Sequence, residues 1–339
     1  MATWGVITMA MVLTQGPMSF YALRFLLGAA EAGLYPGILY FLTKWFPLRQ
    51  RARIIGLLVL AQPISGIIAG PLAGWLLSTH GAFGMSNWQM LFVVAGLPAV
   101  LLVWPTLCLL PETPADARWL SNADRAWLER ELASDRAAHK LKQHGNPLAA
   151  LKDGRVLLLA LLFLPFPLSI YGLSLWLPTI IKAFGVSDST TGLLFVVPYL
   201  FAIAGLLIVP RHSDKKDERY GHIAAMSAFA ALTLAASAWT HDATLQFLLI
   251  CLSAFAIYAA QPIVWALPGQ FLTSAGAAVG IATINSLANL GSYFGPWGIG
   301  VIKDTTGSLA AGLYFLAAIL LVAVVVSFVV RAALAKSSH

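Results

Sequence analysis

The stretch VLLLALLFLPFPLSIYGLSLWLPTII fills residues 156–181 and holds no charged side chain in 26 positions. At about 1.5 Å per residue, a helix of that length crosses the roughly 30 Å hydrocarbon core of a bilayer with residues to spare. It reads as one membrane span with limits near 156–184. Charge-poor runs of similar character recur at 2–16, 19–42, 54–77, 88–110, 189–209, 222–240, 245–267, 274–300 and 309–330. The first two share one apolar stretch and are divided at Gln15-Gly16-Pro17, because a single helix of that length overshoots the bilayer. The fold class is therefore all-α: a polytopic membrane protein with about ten spans.

Composition agrees with that reading. The 339 residues are 59% hydrophobic and 10% charged, with a mean hydropathy of +0.80. Soluble domains average roughly 45–50% apolar and 25% charged, so this chain lacks the charge to coat a water-facing surface. The net charge of +7 comes with no basic stripe interleaved with aromatics, so no nucleic-acid partner is expected. Cys108 and Cys251 sit in apolar runs without a second cysteine or histidine nearby in sequence, so neither a metal site nor a disulfide is readable. H-E-x-x-H, G-x-S-x-G, G-x-x-x-x-G-K-[ST] and G-x-G-x-x-G are all missing. An enzyme and an ATP-driven pump are both disfavoured.

Orientation follows from the basic residues, which stay on the cytoplasmic side. Alternate loops place 18 of the 21 Lys and Arg on one side, leaving Lys182 and Lys303 opposite and Arg24 inside a span. Both termini are thus expected in the cytoplasm. Residues 112–155 hold 8 basic and 7 acidic side chains and form a cytoplasmic linker. Within it, Ser121 to Asp124 resembles a capping box, and Ala126, Trp127, Leu128 and Leu132 make a short amphipathic helix. The expected organisation is an N-terminal bundle over 1–111 with four spans, the linker, and a C-terminal bundle over 156–339 with six. Transporters are commonly built from matched halves, so the four-plus-six count implies two spans missing from the front.

Ionisable residues inside spans cost at least about 2.5–3.5 kcal/mol each at the bilayer centre. Arg24 and Glu31 lie seven residues apart on one helix, on a shared face with Gly28 between them and Tyr21 and Tyr35 extending it. A cation and an acid on one face suit an anionic cargo and a titratable coupling group. The alternative is that each charge pairs with a neighbouring helix and locks the bundle. Uncharged polar faces occur at Gln62, at Tyr171 with Ser174, at Tyr258, Gln261 and Trp265, and at Asn285, Asn289 and Ser292. These read either as helix-helix hydrogen bonds or as the walls of a shared cavity.

Gly66, Gly70 and Gly74 repeat every four residues, as do Gly276 and Gly280, which permits close helix approach. Pro165, Pro167, Pro178, Pro262 and Pro268 are expected to bend helices and free carbonyls.

Arg24-Phe-Leu-Leu-Gly-Ala-Ala-Glu31-Ala-Gly-Leu-Tyr-Pro36, followed by Trp45-Phe-Pro and the basic loop Arg49 to Arg53, resembles the fourth span and next loop of the anion:cation symporter family within the major facilitator superfamily. Tyr171-Gly-Leu-Ser-Leu-Trp-Leu-Pro178, Ser213-Asp-Lys-Lys-Asp-Glu-Arg219 and Gly280 to Gly291 are similar to further parts of it. The resemblance covers essentially the whole chain. It implies a two-bundle fold and proton-driven uptake of organic anions such as tartrate, sugar acids or aromatic acids. It also implies Glu31 as the proton-coupling acid, Arg24 as substrate-binding and Gln62 beside the substrate. Tyr171, Gln261, Trp265, Asn285 and Asn289 join the substrate cavity by face, and Asp214 with Arg219 either form a cytoplasmic gate or only enforce orientation.

The function expected is secondary active transport by alternating access, with no cofactor beyond the proton gradient, in a bacterial inner membrane and as a monomer. The partners expected are the bilayer and a small organic anion. Competing readings are a channel and a non-transporting binding protein or truncated remnant, should the front spans be lacking.

Overall fold

A computed structural model describes residues 1–47, 50, 54, 57–79, 81, 84–141, 153–268 and 274–336. Its helices are α1 (Ala2–Ala10), α2 (Pro17–Glu31), α3 (Leu34–Trp45), α4 (Ala61–Ser78), α5 (Asn87–Leu101), α6 (Val103–Leu109), α7 (Asn122–Leu141), α8 (Gly154–Phe163) and α9 (Pro165–Lys182). They continue with α10 (Asp188–Leu194), α11 (Val196–Lys216), α12 (Tyr220–Trp239), α13 (Ala243–Trp265), α14 (Ser274–Thr306) and α15 (Leu309–Lys336). Seven helical stretches among the described residues are long and apolar enough to cross a membrane: Leu57–Ser78, Asn87–Leu109, Gly154–Lys182, Asp188–Lys216, Tyr220–Trp239, Ala243–Trp265 and Leu309–Ala333. Each coincides with an expected span. The other three expected spans are also helical, as the short apolar Ala2–Leu13, as α2 followed by α3, and as part of α14.

Several runs that the sequence reads as single spans are interrupted, and proline explains where. Turns fall at Gly33, Leu60, Leu102, Leu164 and Phe195, each three residues before a proline: Pro36, Pro63, Pro105, Pro167 and Pro198. A proline denies a donor to the carbonyl four residues earlier and crowds it with its ring, so the ladder opens there. Proline does not always break a helix, however. α9 and α13 continue uninterrupted through Pro178 and Pro262, and Pro268 lies beyond the end of α13.

Two compact units result. The first comprises Met1–Val59 with Leu72–Leu141, and the second Leu60–Pro71 with Lys142–His339. In the first, α1 lies along α5. A Cβ on Gly96 would stand 2.6 Å from the Gly5 carbonyl oxygen, so two glycines let these backbones touch. Gln89 ties the same pair together by donating from Nε2 to the Val12 carbonyl at 3.0 Å. The charged segment supplies α7, whose Ser121 accepts the Asp124 backbone N–H at 3.1 Å and donates to its carboxylate at 2.6 Å. Leu132 is buried there and Trp127 half-exposed, while Trp119 just upstream stacks on Trp45 at 5.8 Å.

The second unit is the better packed. α11 lies against α13, α12 against α13 and α15, and α9 against α14. Leu159, Leu162, Phe166, Leu177, Ile181, Ile223, Leu234, Ile250 and Ile257 are nearly fully buried between them. Burying an aliphatic side chain of this size is worth about 1.5–3 kcal/mol against water. In lipid the gain comes from contact and fit instead.

Candidate functional site

In the first unit the residues of interest stand on α2. Pro17 opens this helix, where its missing N–H costs nothing. The Ser19 hydroxyl accepts from the backbone N–H of Gln15 at 3.0 Å and of Gly16 at 3.1 Å. Arg24 and Glu31 are exposed, about 10.5 Å apart along the axis by helix geometry. The Arg24 guanidinium lies over the Phe20 ring at 5.1 Å, a contact of the cation–π type. Neither residue takes part in an ion pair among the described residues. Helix α2 ends on Glu31, where Pro36 breaks the run. The side chain of Tyr35 and residues Arg49 and Arg51 to Arg53 lie outside what the structure describes.

In the second unit α9, α11 and α13 line an open pocket with room for about 20 Å³, little more than one water molecule. Its wall is aliphatic apart from Ser174, Tyr199 and Tyr258. The Ser174 and Tyr199 hydroxyls share a hydrogen bond of 2.8 Å. Phe195 leans on the Tyr199 ring at 5.2 Å, and a Cβ on Gly66 would meet that ring at 2.6 Å. Gly70 is as tightly held, with the Gly192 carbonyl 2.8 Å from where its Cβ would be. Close approach thus accounts for Gly66 and Gly70 of the four-residue repeat.

None of Tyr171, Gln261, Trp265, Gln62, Asn285 and Asn289, expected at the cavity from sequence, is among the residues that line this pocket. Tyr171 is 47% exposed, one helical turn from Ser174. Gln261, one turn beyond Tyr258 on α13, buries an amide oxygen that has no hydrogen-bond partner among the described residues. Trp265 packs edge-on against Phe163 at 4.7 Å, and Gln62 is half-buried on α4. On α14 the Asn289 amide donates to the Asn285 side chain at 2.9 Å, and the Ser292 hydroxyl is buried without a partner among the described residues. Sequence reasoning missed Tyr199 as a site residue, and the only signal for it was its place beside Pro198.

The turn between α11 and α12 carries the two residues expected at a cytoplasmic gate. Asp214 is exposed in the last turn of α11, and Arg219 donates to the Ala266 carbonyl at 3.2 Å. Glu218 is the residue that organises the turn. It accepts from the Gly221 N–H at 2.6 Å and from the His222 N–H and ring Nδ1 at 3.1 and 2.7 Å. The far ring nitrogen of His222 lies 2.8 Å from His212 Nδ1. Partial burial pushes the Glu218 carboxyl up, but these bonds outweigh it and hold the group below its usual value. Asp217 takes the left-handed conformation at φ 47° that closes the turn.

Residues 1–296 match the family model of the Major Facilitator Superfamily. The chain belongs to that superfamily. A quinolone resistance transporter of Acinetobacter baumannii is 52% identical over 335 residues, covering 98% of this chain and 77% of its own. A protein of Agrobacterium vitis named for tartrate transport is 42% identical, covering 97% and 76%. Among solved structures, a D-xylose-proton symporter superposes with a TM-score of 0.70 at 16% identity, over 97% of this chain and 79% of that one. A bacterial homologue of the human lysosomal transporter Spinster, inward-facing and occupied, gives 0.69 at 17%, over 97% and 80%. This superfamily member is therefore an integral membrane transporter and not an enzyme.

Proposed function

We propose that the transporter carries a small organic anion together with a proton, by alternating access in the inner membrane of a bacterium. The observation that carries this reading is the pair Arg24 and Glu31: two ionisable residues on one helix, exposed, and without ion-pair partners among the described residues. Charges built into a membrane unit and left unpaired mark a pathway more often than a scaffold. Arginine stays cationic throughout and presents a planar fork of donors that matches a carboxylate. A glutamate can exist charged or neutral. Loading the anion beside Arg24 and a proton onto Glu31 makes the occupied transporter electrically easier to turn over than either half-loaded form. The relative named for tartrate transport supports a carboxylate cargo. The proposal includes no bound cofactor, and the distribution of basic residues supports cytoplasmic termini.

The test separates accumulation from exchange. Glu31→Gln should abolish uphill, proton-driven uptake while counterflow exchange of labelled for unlabelled anion continues. Uphill uptake that survives in the variant removes Glu31 from the coupling role.

A further inference from the structure

The turn between α11 and α12 holds a chain of three titratable groups whose hydrogen bonds depend on the number of protons present. His212 on α11 meets His222 on α12 with Nδ1 2.8 Å from Nε2, and Nδ1 of His222 lies 2.7 Å from the Glu218 carboxylate. An ionised carboxylate only accepts, so His222 carries a proton on Nδ1. With both rings neutral, Nε2 of His222 accepts and His212 donates. With one proton added, His222 donates at both ends and His212 accepts. A second added proton sets two donors against each other and brings two cations together, with ring centroids 5.0 Å apart. The chain therefore closes with no added proton or with one, and comes apart with two.

Neighbouring charge works against the second proton. Lys215 and Lys216 follow His212 by three and four residues, on its side of α11. Arg211 precedes it, and Arg219 lies in the turn and reaches the Ala266 carbonyl at the end of α13. From α15 comes Arg331, near the Tyr220 hydroxyl. Against these stand Asp214, Asp217 and Glu218, and Glu218 is already bonded to His222. We propose that His212, His222 and Glu218 form a proton-operated latch on this turn, closed near neutral pH and opened by acid on this face of the membrane. The closed turn holds at most one of the two protons that the opened turn takes up, so acid favours the opened form. His212 is exposed and meets those protons directly. Release reaches the rest of the turn through Glu218, whose carbonyl accepts from Ser213 Oγ at 2.6 Å, and reaches α13 through Arg219. By its basic residues this face is expected in the cytoplasm, where a proton symporter discharges its protons; the latch itself does not depend on that reading.

The test is hydrogen–deuterium exchange of the peptide spanning 212–223 in the purified full chain, corrected for the intrinsic pH dependence of exchange. It runs from about pH 7.5 to about pH 5.5, the range in which imidazoles take up protons. Wild-type protection should fall about tenfold or more across that range, since each pH unit can shift a one-proton equilibrium by up to about tenfold. His212→Asn puts an amide nitrogen near the place of Nδ1, so it keeps a donor to His222 but takes up no proton. Its protection should match the wild type at the upper pH and change less than about twofold at the lower. Peptides from α15 should keep their protection throughout in both proteins. Flat wild-type protection, or a variant already unprotected at the upper pH, would overturn the latch. An equal fall in wild type and variant would overturn it too, and would assign the acid response to Glu218 alone. Loss of protection over α15 in step with the turn would mark global unfolding and contradict a local latch.

Discussion

Ser174 on α9 and Tyr199 on α11 hold their hydroxyls 2.8 Å apart, and this polar contact fixes the Tyr199 ring in the wall of the pocket. The ring is clamped on its other side by Gly66, where no Cβ fits.

Ser174→Ala should therefore release Tyr199 with only a modest loss of stability. A hydrogen bond of this kind contributes about 0.5–1.5 kcal/mol net, so the midpoint of thermal unfolding should fall by a few degrees. An unchanged midpoint would show that the bond positions nothing.

Gly66→Ala should push the Tyr199 ring out of place, since the new methyl would arrive 2.6 Å from a ring carbon. Overpacking of this sort typically costs about 1–3 kcal/mol. Tyr199→Leu should relieve the clash, so the double variant should be more stable than the sum of the single changes predicts. Strict additivity of the three unfolding measurements would argue against direct contact.

Arg24→Ala should weaken anion binding about 10- to 100-fold, the scale of a charge-assisted hydrogen bond. Arg24→Lys should recover part of that, because the charge returns but the planar fork does not. Equal affinities of all three proteins, measured by equilibrium binding, would place the anion elsewhere.

Glu218 gives the protein a local acid sensitivity. Its carboxyl lies below the ordinary 4.5 in the folded state, so its contribution is fully present above the unfolded value and is lost as pH falls through the lower folded one. Wild type should exceed Glu218→Gln in thermal midpoint near neutral pH, and the gap should narrow as pH drops below about 4.5. A gap that stays constant with pH would mean that the loop geometry, and not the charge, does the stabilising.

Much of this molecule can be read from its residues, and the reason differs from element to element. Helical spans such as 156–184 and 309–330 are legible because length and missing charge are one-dimensional properties of the chain. Interruptions at Gly33, Leu102, Leu164 and Phe195 follow from proline chemistry, yet Pro178 and Pro262 obey the same local rule and leave their helices unbroken, so the outcome depends on packing. Arg24 and Glu31 announce themselves because charge is rare in apolar sequence. Tyr199 does not, because an aromatic residue in a span is ordinary, and its importance arises only when α9 and α11 bring Ser174 to it. Glu218 was equally hidden, since the interest of the Asp214–Arg219 loop lay in its charges and not in which of them would find backbone donors.

The most direct test of the central claim is uptake of radiolabelled carboxylates into cells expressing the chain, with and without a protonophore, alongside Glu31→Gln. Proton-coupled symport predicts accumulation above the external concentration that collapses with protonophore and is missing in the variant. Accumulation that ignores the protonophore, or that Glu31→Gln leaves intact, would contradict it.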